Sequence, residues 1–365
     1  MHFFDSTGIR EIDFGLTKDT INELRKEWMN SLRNFSEHPK VNDERGILTC
    51  GGGVKYFACL WVCINILRRN GCDLPIEVWH LENEITTGCA KALHKLGVKT
   101  VDASKIADRN LIGYMIKPFA ILNCSFKEVL FLDADNICLH NPKLLFNDPE
   151  YLRKGALFWP DYWTTAVDNP IWEIMGIKYR DMKEQESGQL LINREKCWDQ
   201  LQLCMFLNFN EDVYYKLLIG DKDTFRFSWM ALKKDFGFIE HEPGTCGYID
   251  EDGNFMGHTM LQYLPDKTPS FLHRNLLKWS SSSFLKKNWT HSKKFIAEKK
   301  IRGYKIAFSE RNSHYFIDLY GDTQIADFEK YFGNIEEDCL EILSRLFKEK
   351  FYINFLNSLK LPKEI

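Results

Sequence analysis

KEVLFLDADNICLHNP, Lys127 to Pro142, passes from a run of apolar residues straight into two acids, an Asn and a turn. Val129 to Leu132 are four consecutive apolar residues flanked by charge, the pattern of a short strand buried on both faces. Such strands belong to α/β sheets, whose ligands collect outside the carboxyl ends of the strands. Asp133 and Asp135 stand at that end. Two residues apart in extended chain, their side chains leave the backbone on the same side. Carboxylates this close repel unless positive charge lies between them. Hard oxygen ligands suit magnesium or manganese. Asp-x-Asp also occurs at Asp221/Asp223 and Asp250/Asp252, so the buried strand in front singles out the first triplet.

Upstream, the same alternation repeats. RGILTCGGGVKYFACLWVCINILRRNGCDLPIEVWHL predicts a strand over Gly46 to Thr49, a glycine turn, a helix from about Val54 to Arg69, and a strand over Ile76 to Leu81. That is a βαβ unit. A helix over TTGCAKALHKLG, a strand at KTVDA and a helix over LIGYMIKPFAILNC then lead into the acidic strand. Strands alternating with helices predict a largely parallel sheet. Beyond Asp135 the order is irregular: GALFWPDYW reads as a strand, ESGQLLINREKCWDQLQLCMFL as a strand entering a helix, and GDKDTFRFSWMALKKDF as a loop and helix. HEPGTCGYIDEDGNFMGHTMLQYL reads as short strands and turns. Residues 1–44 read as a polar helical extension of a main unit, 1–290, and 291–365 as a separate helical C-terminal region. The one low-complexity stretch is the serine run 280–283.

Composition excludes some classes. The net charge of −3 gives no electrostatic footprint for nucleic acid. The 27 Phe, 14 Tyr and 10 Trp allow a large core and a ring-binding groove. The eleven cysteines show no Cys-x-x-Cys pair and no zinc spacing, and several sit in apolar runs, so they read as reduced. With no signal peptide in MHFFDSTGIREIDF and no apolar run long enough to span a bilayer, the expectation is a cytoplasmic protein.

Other positions carry chemistry. CGGGVKYF opens a helix with Gly51, Gly52 and Gly53, which permits close backbone approach and favours an anion, but fits neither a dinucleotide fingerprint nor a P-loop. Its plain alternative is a tight turn. Lys117 in MIKPF suits a diphosphate or one of the aspartates, or is a surface lysine. In QESGQLLIN, Glu186 and Gln189 flank a small Ser-Gly pair that admits a substrate. Asp221 and Asp223 read either as helix-capping acids or as site residues. His273 and Lys278, in FLHRNLLKW, offer a nitrogen ligand and a phosphate partner.

Five blocks, RGILTCGGGVKYFACLWVCINILRRNGCDLPIEVWHL, KPFAILNCSFKEVLFLDADN, ESGQLLINREKCW, GDKDTFRFSW and FLHRNLLKW, occur in the order and approximate spacing of the fungal-type α-mannosyltransferases of the MNN1/MNN2-like kind. The chain resembles that family over residues 45 to 280. The resemblance implies a GT-A fold, a Rossmann-like α/β sheet that binds a nucleotide sugar, and retaining transfer. It implies Mn²⁺ or Mg²⁺ on Asp133, Asp135 and His273, and nucleotide-sugar contacts from Gly51, Gly52, Gly53, Tyr56, Lys117, Asp133, Ala134 and Lys278. Glu186, Gln189, Asp221 and Asp223 are the candidates to stabilise the oxocarbenium-like sugar. GDP-mannose is the favoured donor and a UDP-sugar the alternative, with a glycan or protein acceptor. Family analogy would place such an enzyme in the Golgi lumen instead of the cytoplasm. The competing classes are a magnesium-dependent phosphohydrolase, which also sets Asp-x-Asp after a buried strand, and a non-catalytic carbohydrate-binding module.

Overall fold

In the computed structural model, which describes residues 2–40, 43–279 and 286–360, six strands carry the site. They are Arg45–Cys50 (β1), Ile76–His80 (β2), Val98–Asp102 (β3), Glu128–Leu132 (β4), Ala156–Thr165 (β5) and Lys183–Asn193 (β6). Their order across the sheet is β3-β2-β1-β4-β6-β5. The first four run parallel, and β6 runs antiparallel between β4 and β5. This mixed, mostly parallel α/β sheet with one reversed strand fits the GT-A fold that the family resemblance implies. The alternation read upstream of Asp133 is present element by element, with helices Gly53–Arg69 (α1), Thr87–His94 (α2) and Ile116–Asn123 (α3) as the crossovers. Trp198–Phe209 (α4) and Lys222–Ala231 (α5) share one core cluster with α3. The serine run lies outside the described residues.

Two regional expectations are corrected. Residues 1–44 are not uniformly helical: His2–Phe4 and Ile9–Ile12 pair antiparallel, and the second of these extends the central sheet parallel to β5. The helix is confined to Lys18–Ser31, which buries Ile21, Leu24 and Trp28 along one stripe. Residues 291–365 are not a helical unit either. A second sheet contains Gly244–Ile249 (β7), Phe255–Tyr263 (β8), Pro269–His273 (β9), His291–Phe295 (β10), Arg302–Ser309 (β11), His314–Gly321 (β12) and Thr323–Asp327 (β13). β10 pairs with β7, and β12 meets β8 at Gly257 and Ile317. The boundary expected at 290 therefore cuts through a sheet. The lysine-rich character of 291–305 hid the inward-facing Phe295 and Tyr304, which pack with Ile317 and Leu319 of β12.

Only from Phe328 onward is the C-terminus helical, and its cause lies in α1. That helix buries nine residues from Phe57 to Leu67, too many for one stripe. A helix apolar on nearly every side needs two covers. The sheet supplies one; Ile335–Leu346 (α6) and Lys350–Lys360 (α7) supply the other. Phe57 lies 5.8 Å from the Tyr352 ring and 5.4 Å from Phe355, centroid to centroid. Phe355 is 1% exposed. Phe355→Ala is expected to destabilise the whole protein by about 3–5 kcal/mol, read as a lowered urea midpoint in a single transition. A separate early transition, with the sheet intact beyond it, would show that the C-terminal helices stand apart.

Candidate active site

The two sheets meet where β4 ends. Asn136–Cys138 pairs antiparallel with β9, setting His273 opposite Asn136. The imidazole thereby arrives beside both aspartates, 3.2 Å from Asp135 Oδ1 and 3.6 Å from Asp133 Oδ2 through Nε2. Its other nitrogen, Nδ1, lies 3.2 Å from Glu186 Oε1. Glu186 also accepts a hydrogen bond from the Gly188 amide at 2.6 Å. A Cβ on Gly188 would stand 2.5 Å from His273 Nδ1. The Ser-Gly pair does admit a close neighbour, and that neighbour is an imidazole.

Positive charge closes around the carboxylates. Lys117, on α3, places Nζ 3.2 Å from Asp133 and 3.2 Å from Asp221, and donates to Ser187 Oγ at 2.8 Å. Lys278 contacts the Asp135 carboxylate and lies over the Tyr56 ring at 5.4 Å. Burial by itself would lower the pKa of Lys117, but the Asp133 and Asp221 carboxylates outweigh it and raise it. Lys278 has weaker compensation, and burial lowers its pKa. For Glu186 burial pushes up, yet His273, Lys222 and Lys117 bring it down to about 2. The His273 imidazole is raised despite burial, chiefly by Glu186.

The glycine turn joins the same rim. Gly51 packs so closely on Ala134 that a Cβ there would be 3.0 Å from the alanine methyl. Gly52 abuts Glu84, and Gly53 takes a φ of +63° at the head of α1. Thus the fold gathers Gly51, Gly52, Gly53, Tyr56, Lys117, Asp133, Ala134, Asp135, Glu186, Asp221, His273 and Lys278 at one end of the sheet. Two expected catalytic residues stay outside. Gln189 is 0% exposed, and its carbonyl accepts from Asn136 Nδ2 at 2.8 Å behind the aspartate turn. Asp223, also fully buried, pairs with Arg226 at 2.9 Å and accepts from the Gln185 amide at 3.0 Å. Helical geometry separates it from Asp221, since side chains two apart on a helix do not share a face. The third triplet, at Asp250, is an exposed turn closed by the Asp252 amide.

A buried ionic floor escaped the sequence. Glu184, two residues before Glu186, is held by Arg10 Nε at 2.6 Å and by Lys222 at 2.6 Å, and Lys222 also contacts Asp161. Burial would raise the Glu184 pKa, but Lys222 and Arg10 hold it far below the usual carboxylate range. Asp161 is pushed up to about 6, first by burial and then by Glu186 and Glu184, against the pull of Lys222. The Glu184/Glu186 spacing was the one visible signal; nothing local marks Arg10. Arg10→Met should cost about 3–5 kcal/mol, the scale for stripping one partner from a buried ion pair. Urea unfolding of the variant checks this. A change under ~1 kcal/mol would mean Lys222 alone suffices for Glu184.

The Mannosyl_trans3 mannosyltransferase family model matches residues 44–186 and 178–264. The chain belongs to this mannosyltransferase family. The α-1,2-mannosyltransferase MNN2 of Saccharomyces cerevisiae is 30% identical over 296 residues, covering 67% of this chain and 49% of its own. The α-1,2-mannosyltransferase MNN22 of Candida albicans is 26% identical over 327 residues, covering 71% of this chain and 54% of its own. The chain thus spans about half the length of these curated relatives. The solved structure of the glycosyltransferase GlyE from Streptococcus pneumoniae TIGR4 is 17% identical, covers 55% of this chain and 46% of its own, and superposes with a TM-score of 0.38, a level from which no functional detail transfers. Among the described residues, no helix of the mannosyltransferase-family chain is long and apolar enough to cross a membrane.

Proposed function

We propose that this mannosyltransferase-family chain is a metal-dependent retaining glycosyltransferase that moves mannose from GDP-mannose to a sugar hydroxyl. The observation that carries the reading is the convergence of Asp133, Asp135 and His273 Nε2 at the carboxyl end of β4. The donor set suits the ion. Asp133, Glu186 and His273 offer ligand atoms all within 4.8 Å of one another. Because one imidazole cannot turn both nitrogens on one ion, Nε2 with the two aspartates forms the ligand set. Glu186 then fixes the ring from behind. Mn²⁺ or Mg²⁺ bound there supplies charge neutralisation to the departing diphosphate.

The chain's own residues do the rest. Lys278 and the α1 N-terminus face the diphosphate, with Tyr56 beneath the lysine. Lys117 holds Asp133 and Asp221 in one orientation across the site. Retention follows the family resemblance: the departing diphosphate takes the acceptor proton on the same face, while Glu186 Oε1 is committed to His273 Nδ1 and the Gly188 amide. Inversion would call for a positioned general base. The names of the α-1,2-mannosyltransferase relatives favour mannose as the sugar.

Asp133→Asn is the cleaner test of the triplet, because Lys117 keeps Asp221 as a partner, whereas removing the Asp135 charge takes from the half-buried Lys278 its carboxylate partner. Asp133→Asn should reduce transfer by about 100-fold or more with a nearly unchanged melting temperature. Calorimetry with GDP should show Mn²⁺-dependent binding that EDTA abolishes. Metal-independent GDP binding, or tighter binding of UDP, would overturn the metal or donor assignment respectively, and a product of inverted anomeric configuration by NMR would overturn retention.

Gly188→Ala probes the imidazole separately. Its new methyl group would push the His273 ring off Glu186, so Mn²⁺ affinity should fall about tenfold or more, the scale of losing a ligand's orienting contact. Titration followed by manganese EPR reads the change; wild-type affinity in a folded variant would remove His273 from the ligand set.

A further inference from the structure

We propose that Tyr114 is a stacking platform for the acceptor's hexose ring, an assignment that rests on the transferase reading above. Tyr114 belongs to the short turn Gly113–Met115 that leads into α3, three residues ahead of Lys117. Its side chain is 60% exposed, yet its setting is fixed. Leu111 and Met115, on either side, are 4% and 5% exposed and anchor the loop in the core. The ring rests on Gly220, where a Cβ would stand 3.2 Å from the ring carbons. Gly220 adopts a φ of +63°, so glycine is favoured there for backbone as well as space. A second ring, Tyr215, lies 6.4 Å away at 60°, with its hydroxyl donating to Asn208 Oδ1 at 2.5 Å.

An exposed tyrosine is ordinary by itself. This one adjoins the site. Gly220 precedes Asp221, whose carboxylate is 3.2 Å from Lys117 Nζ, and Lys117 in turn reaches Asp133. The groups assigned to the donor, namely the glycine turn, Tyr56 and Lys278 with its partner Asp135, lie on the α1 side. Tyr114 belongs to the opposite face, whose core joins its neighbours Leu111 and Met115 to residues of α4 and α5. A second substrate on that side stays clear of the groups assigned to the diphosphate. A pyranose presents an apolar C–H face rimmed by hydroxyls. A tyrosine meets both with a flat apolar ring and a polar tip, at a low cost in side-chain entropy.

The test measures initial rates with GDP-mannose, Mn²⁺ and methyl α-mannopyranoside as acceptor. Tyr114→Ala should raise the acceptor KM about tenfold, leaving the donor KM and the acceptor-free hydrolysis of GDP-mannose unchanged, and Tyr114→Trp should restore the KM. An unchanged acceptor KM, or an equal loss of donor affinity, overturns the platform. If wild-type protein turns over no GDP-mannose, the transferase reading falls by itself. Saturation-transfer NMR with methyl α-mannopyranoside then tests Tyr114 directly: a signal lost in Tyr114→Ala supports the platform, and an equal signal in both proteins overturns it.

Discussion

Four carboxylates, those of Asp133, Asp135, Glu186 and Asp221, converge where β4 ends, and the rest of the site follows from the need to keep them there. Two lysines and one imidazole stand among them. Even with His273 protonated, that leaves the cluster one positive charge short. Close carboxylates tolerate each other only with compensating charge, so the arrangement has a place for a cation. Lys117 spans two of the acids and thereby ties α3 to the start of α5. Lys278 ties the chain after β9 to the same point. Each lysine is a structural strut in the free protein and a potential phosphate partner once a ligand brings its own negative charge.

The second constraint is mechanical. His273 reaches the aspartates because three residues directly after them, Asn136 to Cys138, form a strand with β9. The two sheets are thus joined at the site, and the proposed ligand set is built on paired backbone instead of on free loops. Gly188 completes the fit by leaving room for the ring. Beneath, Arg10 and Lys222 neutralise Glu184, so the strand bearing Glu186 is held from below by charge as well as by its neighbours in the sheet. The extreme N-terminus is consequently part of the site's foundation.

The C-terminus serves the same end from the opposite side. Glu336 on α6 accepts from the amides of Asn288 and Trp289, each at 2.8 Å, and stands 3.8 Å from Arg274. Arg274 is the residue after His273, and its guanidinium lies over Trp279 and Trp289 at 4.7 and 5.4 Å. The helices that cover α1 therefore also brace the segment that carries the histidine and Lys278.

Much of this was legible locally. A four-residue apolar run ending in acids fixes β4, because a strand buried on both faces has no other composition open to it. The spacing of strands and helices up to that point determined the parallel half of the sheet, and the five ordered blocks determined the family. What needed the tertiary structure was every relation between distant segments. Gln189 and Asp223 carry the right chemistry for the site, but packing against Asn136 and Arg226 turns them away from it. Arg10 carries no local signal, since its partner lies 174 residues on. The strands of residues 291–327 were masked by surface lysines, because an edge ribbon alternates only where its core side has something to cover. Side-chain chemistry and local periodicity are properties of neighbouring residues, so sequence alone determined them. Which carboxylate meets which cation depends on the closing of two sheets onto one another, and only the tertiary structure decided that.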